Sequence, residues 1–181
     1  KKLVKEQIIP SGHEPNDYIV ERLECPSHDG RVVPITITRH KNTPIDGSAE
    51  LLLYGYGSYG HSMSPTFSST RLSLIKRNII WATAHIRGGM ERGMKWWKEG
   101  KLLNKKNTFK DYIACAKFLI EKKYTSKKKI IGMGGSAGGL LMGVVVNEEP
   151  DLFLGVIMAV PFVDSLTTNL DHSLPLTIGE F

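Results

Sequence analysis

The sequence predicts an α/β fold: a doubly wound, mostly parallel sheet, preceded by an antiparallel hairpin and incomplete in its outer strands. Three observations carry this reading. Short apolar runs at 50–54, 78–84, 129–133 and 155–160 alternate with helical segments, as a sheet covered on both faces requires. Ahead of them, 18–25 and 32–39 flank Ser27-His28-Asp29-Gly30, a hairpin signature. Glycine clusters at 55–60, 87–89 and 134–139 then fall at the C-terminal ends of strands, where ligand chemistry gathers in such sheets.

In chain order, residues 1–15 are polar, carry Pro10, Gly12 and Pro15, and read as a linker; the folded unit runs from 16 to 181. Tyr18 to Cys25 alternates in the manner of a strand, and Val32 to Arg39 is β-branched enough to return it. Pro34, which lacks an N–H, places that second strand near a sheet edge. Lys41 to Ser48 is a polar loop, Glu50 to Tyr54 a buried strand, Ser69 to Arg77 a short helix and Asn78 to Ala84 another strand. Thr108 and Asp111 have capping-box spacing, and Phe109, Tyr112, Ile113, Ala116, Leu119 and Ile120 mark the apolar face of the helix that follows. Lys129 to Met133 is a strand, Ala137 to Asn147 a helix and Gly155 to Val160 a buried-type strand.

Composition narrows the function classes. With 181 residues, 41% hydrophobic and 23% charged, the chain is globular, one domain or a fragment of a larger one. Its longest apolar run, Leu154 to Val163, is half the length of about 20 that a membrane span needs. No signal peptide is visible, and Cys25 and Cys115 read as thiols of a reducing compartment, with a single bridge between them as the alternative, so the expected location is cytoplasmic. The net charge of +6 comes from lysines clustered at 95–110 and 122–129, which no nucleic-acid-binding motif accompanies; they read as solvated surface. No Cys/His cluster suggests a metal, and nothing suggests an organic cofactor.

Gly134-Gly135-Ser136-Ala137-Gly138 satisfies G-x-S-x-G where strand 129–133 must turn sharply into helix 137–147, the context of a nucleophile elbow. The elbow strains the serine backbone and crowds the chain on both sides, so side chains larger than Ala at 134 or 138 are expected to clash. A phosphate loop is the rival, but no Gly-Lys-Ser/Thr follows; the dinucleotide fingerprint is only approached, and purely structural glycines are the plain alternative. Acyl transfer needs two oxyanion donors: the Ala137 N–H is one, and the Tyr56 phenol, in the loop after the first main strand, is the candidate second. The plain reading of Tyr54, Tyr56 and Tyr59 is packing. The base should follow the nucleophile in the order acid, then histidine, and within the chain Asp164 with His172 is the local pair, although it comes early for that role. His13, His28, His40, His61 and His85 precede the serine and read as surface or packing residues.

These residues, with several further runs, resemble the prolyl oligopeptidase family of serine peptidases, and within it the oligopeptidase B (protease II) branch. The runs include 53–60, Arg87-Gly88-Gly89 with Glu91, 105–112, 134–143, 150–153, 160–164 and 175–181. The resemblance implies an α/β-hydrolase domain capped by a β-propeller, of which residues 1–15 would be a remnant and 16–181 the first half of the peptidase domain. It implies a serine-type endopeptidase cutting short peptides after Arg or Lys. Ser136 would be the nucleophile, with Tyr56 and the Ala137 N–H as oxyanion donors. Tyr59 and Glu180 would form the pocket for the basic side chain. Short basic peptides are the implied partners. The family's Asp and His, and a second pocket carboxylate, would come after Phe181, on a complementary C-terminal portion. Met90 stands where the family has a third glycine. A catalytically inactive relic, or a half-domain acting only with a complementary fragment, is the alternative; a chain ending at an unpaired apolar strand is expected to be poorly soluble or partly folded by itself.

Overall fold

The computed structural model describes residues 2–6, 8–10, 12–64, 66–174 and 177–181. Pro175 and Leu176 of the family-like run, and parts of the 1–15 segment, lie outside the described residues.

Strands β1 (Tyr18–Pro26) and β2 (Val32–His40) form the hairpin, and β3 (Leu51–Tyr54) follows the polar loop. Helix α1 (Ser69–Ile75) leads to β4 (Ile80–Ala84). Short α2 (Met94–Lys98) precedes the long α3 (Lys106–Glu121), β5 (Ile130–Gly135) and α4 (Ala137–Glu148). Strand β6 (Phe153–Ala159) and α5 (Ser165–Leu170) complete the order. The sheet order is β1-β2-β4-β3-β5-β6. Its β1/β2 and β2/β4 pairs are antiparallel, and β4/β3, β3/β5 and β5/β6 are parallel. This is the expected mixed sheet, with its hairpin at one end and an α/β-hydrolase-like, incomplete parallel portion at the other.

The core sits between the sheet and α3 with α4. Leu51, Leu53, Ile80, Ala82 and Ile130 are fully shielded and meet Tyr112, Ala116, Leu119, Leu141 and Val145. The Tyr112 hydroxyl is satisfied there by donating to Leu53 O at 2.6 Å. Cys25 and Cys115 are both free and buried. Four expectations are corrected. Strand β2 is not an edge: it lies between β1 and β4, and Pro34 is tolerated because the β2/β4 ladder stops at Ile35 and Ala84. The Thr108–Asp111 capping box does not form. The chain enters α3 from the 3₁₀ turn Leu102–Asn104 with Lys105 already helical, so both residues point inward and are buried. The sheet is covered on one face only along part of its width, since α1 reaches β2 and β4 but not β6. Strand β6 is accordingly not buried on both sides: Val156 and Met158 pack on the core, whereas Leu154 and Ile157 are 58% and 46% exposed.

Behind the parallel strands lies a buried ion cluster. Arg87, 1% exposed, donates to Asp111 through Nε (2.8 Å) and Nη2 (2.6 Å) and to Asp29 through Nη1 (2.5 Å). Asp111 also accepts from Ser27 Oγ at 2.5 Å and from the Arg87 N–H at 3.1 Å. Burying these charges is tolerable only because nearly every donor has a partner.

Candidate active site

Strand β5 runs two residues past its sequence-expected end, through Gly134 and Gly135, and delivers Ser136 directly to the first turn of α4. Ser136 has φ 55° and ψ −118°, a conformation that costs a non-glycine residue energy and persists only where its surroundings impose it. They do so here through backbone bonds. Ser136 N donates to Ala159 O (2.9 Å), and Ser136 O accepts from Gly139 N (2.8 Å) and Phe162 N (3.0 Å). The crowding is tighter than the sequence suggested. A Cβ at 134 would overlap the Gly138 carbonyl, and one at 138 would come to 2.8 Å from Gly55 O, so even alanine requires backbone movement. The result is an exposed serine at a helix start, with the buried Ala137 N–H next to it.

The loop after β3 closes over this point. Gly55 N donates to Met133 O at 3.0 Å, tying the loop to β5 just before the elbow. Gly57 and Gly88 have φ 68° and 94°, and their backbones stack so closely that a Cβ on Gly88 would fall on the Gly57 carbonyl. Tyr54, Tyr56, Tyr59, His61 and Met63 line one open groove with Ser136. Tyr56 is half-buried, and burial, then the charges of Tyr54 and Glu180, push its phenol above its ordinary value, so it remains a hydrogen-bond donor at neutral pH. Met90 lies against Gly60, and the loop is held by Gly60 N donating to Gly88 O (2.9 Å). Glu91 accepts from Met63 N at 2.9 Å and fixes the far wall of the groove.

Glu180 is far from an ordinary surface residue: it is 1% exposed. Its Oε2 accepts from Trp97 Nε1 (2.9 Å) and its Oε1 from Lys105 Nζ (3.3 Å). Phe181 beside it packs against Tyr59 and Phe162, with ring centroids 6.0 and 5.2 Å apart. The sequence-designated residues thus fall into two adjoining groups, Ser136, Ala137 and Tyr56 at the elbow, and Glu180 buried beyond the loop, with Tyr59 in the groove between them. Asp164 and His172 are not brought into the groove: the Asp164 carboxylate caps α5 by accepting from Thr167 N (3.2 Å), and His172 is exposed.

One groove residue and one residue buried beside the groove loop escaped the sequence reading. His61 stands edge-on to Tyr56, ring centroids 5.5 Å apart. Its position directly after the loop at the end of β3 was the available signal. Lys105 looked like one more lysine of a basic run, and only the three-dimensional structure shows it buried against Glu180. Among the described residues no group of three or more His, Cys, Asp or Glu is placed to hold a metal ion, and no helix is long and apolar enough to cross a membrane.

This arrangement has close counterparts among known proteins. Over 182 residues the chain is 45% identical to dipeptidyl aminopeptidase BI of Pseudoxanthomonas mexicana, matching all of this chain and 25% of that protein. It is 46% identical over 177 residues to protease 2 of Moraxella lacunata, covering 97% of this chain and 26% of that one. Among solved structures, oligopeptidase B from Leishmania major superposes with TM-score 0.87 and 46% identity, over 92% of this chain and 23% of that one. Oligopeptidase B from Trypanosoma brucei with covalently bound antipain gives TM-score 0.88 and 44% identity, over 93% and 24%. The chain thus spans about a quarter of the length of these relatives, and it corresponds to the N-terminal portion of their catalytic domain. Residues 65–181 match the model of the prolyl oligopeptidase family, and with an elbow, a tyrosine loop and near-complete alignment to its oligopeptidase B-like members, the chain belongs to that family.

Proposed function

We propose that the chain supplies the nucleophile half of a serine-type oligopeptidase that cleaves short peptides after Arg or Lys. The observation that carries this reading is Ser136 itself, exposed, with φ 55°, between two glycines that admit no side chain and in one groove with Tyr56. Ser136 Oγ attacks the scissile carbonyl carbon and loses its proton to a general base. The carbonyl oxygen becomes an oxyanion, held by the Tyr56 O–H and the Ala137 N–H. Collapse of the tetrahedral intermediate breaks the C–N bond, the base returns the proton to the leaving amine, and water repeats the cycle to release the acyl group. Tyr59 and Phe181 flank the basic side chain, and Glu180 receives its charge. The base and its orienting acid come from a complementary C-terminal portion, since Asp164 is engaged in capping α5. A fluorophosphonate probe read by intact mass tests this. The chain joined to that portion should label stoichiometrically at Ser136 and lose labelling in Ser136→Ala, while the 181-residue chain by itself labels far more slowly. Labelling elsewhere, or equal cleavage of Arg and neutral peptides by the joined protein, would refute the assignment.

One observation favours the half-domain form of this reading over independent action. Among the described residues the outer edge of β6 is unpaired, and Leu154, Ile157, Val160 and Val163 are 58%, 46%, 85% and 60% exposed. That surface suits further strands better than water.

A further inference from the structure

The polar cluster beneath the tyrosine loop has a chemical logic of its own. Lys105 Nζ donates to Gly57 O (2.7 Å), Ser58 Oγ (2.6 Å) and Glu180 Oε1 (3.3 Å), three partners for the three donors of an ammonium. The first two lie on the loop that carries Tyr56 and Tyr59, and the third is the proposed pocket carboxylate. The carboxylate bond is the longest of the three. We propose that Lys105 is an internal counter-ion that an incoming basic side chain displaces from Glu180, while Lys105 stays anchored to the Tyr56 loop. This rests on Glu180 being the pocket carboxylate.

The exchange follows from the burial. Lys105 is 9% exposed and Glu180 1%, and two cations on one shielded carboxylate repel strongly. Shedding one proton from Lys105 Nζ to water relieves this. The neutral amine keeps two N–H donors for Gly57 O and Ser58 Oγ, and Glu180 Oε1 is released to the guest. No other bond changes. Desolvation already pushes Lys105 down to about 8, with the Glu180 charge opposing it, so the proton is held weakly enough to leave near neutral pH. The other charged and titratable groups around it are few. The phenols of Tyr56 and Tyr59 are raised by burial and by Glu180, among other charges, and stay neutral. Lys101 rests on the Trp97 ring at 3.9 Å and donates to Gly179 O at 3.2 Å, away from the exchange.

Calorimetric titration of the 181-residue chain with n-butylguanidinium, from pH 6 to 10 in buffers of different ionisation enthalpy, tests the proposal. The expected affinity climbs about tenfold per pH unit up to about 8, then levels, because only the fraction with neutral Lys105 accepts the guest. Nearly one proton should be released per guest bound at pH 7. Lys105→Met should bind about tenfold more tightly at pH 7 with no pH dependence, and Lys105→Arg, which cannot deprotonate, should bind weakly at every pH. The wild-type arm needs no variant to fold. Binding without proton release overturns the exchange and leaves the pocket reading intact. No binding by wild type or Lys105→Met across the range overturns Glu180 as the pocket carboxylate, and the exchange with it.

Discussion

Removing the Asp111 carboxylate is the most informative single perturbation of this fold. In Asp111→Ala, Arg87 loses the acceptor for its Nε and backbone N–H and the nearer of the two acceptors for its Nη2, and Ser27 Oγ keeps only His28 Nδ1. What remains to the guanidinium is Asp29, whose side chain is 36% exposed and whose attraction is therefore partly screened. A charge in a site 1% exposed, left with only that screened partner, costs up to about 3–5 kcal/mol. Domains have only about 5–15 kcal/mol of net stability, so the variant sits near the folding threshold. Asp29→Ala, by contrast, leaves the Asp111 bonds in place and should cost about 1 kcal/mol or less. Replacing both buried charges, Arg87→Met with Asp111→Leu, should recover most of the loss, because no unpaired charge is then buried. Urea unfolding followed by circular dichroism at pH 7 reads all three. With a slope of about 2 kcal/mol per molar, the Asp111→Ala midpoint should fall by roughly 1.5–2.5 M. Equal midpoints for Asp111→Ala and Asp29→Ala would refute the argument that burial, not ion pairing as such, sets the magnitude. The same variant should loosen residues 87–89 and, through the Gly88–Gly57 stack, the tyrosine loop.

Three further outcomes follow from the same geometry. Gly134→Ala should lower stability by about 2–4 kcal/mol in thermal or urea unfolding, since its Cβ overlaps backbone that cannot rotate away; Gly155→Ala, where nothing lies within 4 Å of the new methyl, is the control. Tyr56→Phe in the protein joined to its base should reduce kcat by about 10²–10³ with little change in KM, the signature of a donor used only in the transition state. Ile157→Lys should reduce self-association of the 181-residue chain in sedimentation while leaving its unfolding midpoint nearly unchanged, because the side chain is 46% exposed on an uncovered sheet face.

The parts of this molecule that local rules govern were legible in the sequence. The hairpin, the four parallel strands and the helix after Ser136 follow from period, turn chemistry and the strand–glycine–helix order, and all appear within two residues of their expected bounds. Legibility failed where a long-range polar contact outweighed a local pattern. Thr108 and Asp111 have cap spacing, but Thr108 Oγ1 bonds Arg87 O and Gly100 O, and Asp111 neutralises Arg87, 24 residues earlier in the chain. Lys105 carries the same kind of lesson: a lysine amid lysines is solvated on composition alone, until the backbone places three acceptors around it. Pro34 misled for a different reason. Its missing N–H demands only a gap in the ladder, and β4 provides one by ending at Ala84, without Pro34 being on the outer strand.

The unevenness of packing across the sheet explains how a chain spanning about a quarter of its relatives' length can carry a formed elbow. The strands that hold Ser136 in place are β3, β5 and β6, and the first two lie inside the sheet with α3 and α4 packed beneath them. The strain at Ser136 is therefore opposed by contacts within this chain: the Gly134–Gly138 approach, the Tyr112 ring under Gly55, and the bonds from Ser136 to Ala159 and Phe162. What is open is the other face, where Ile131 and Met133 are half-buried and Ile157 is exposed, and the outer edge of β6. Nucleophile geometry and proton transfer are thus separable in this fold. Positioning the serine requires only the central strands and their glycines, whereas the proposed chemistry needs a base that reaches over the uncovered side. On the proposed function, a complementary portion docking there would cover the apolar face and deliver the base in one step, so activity and solubility would depend on the same contact.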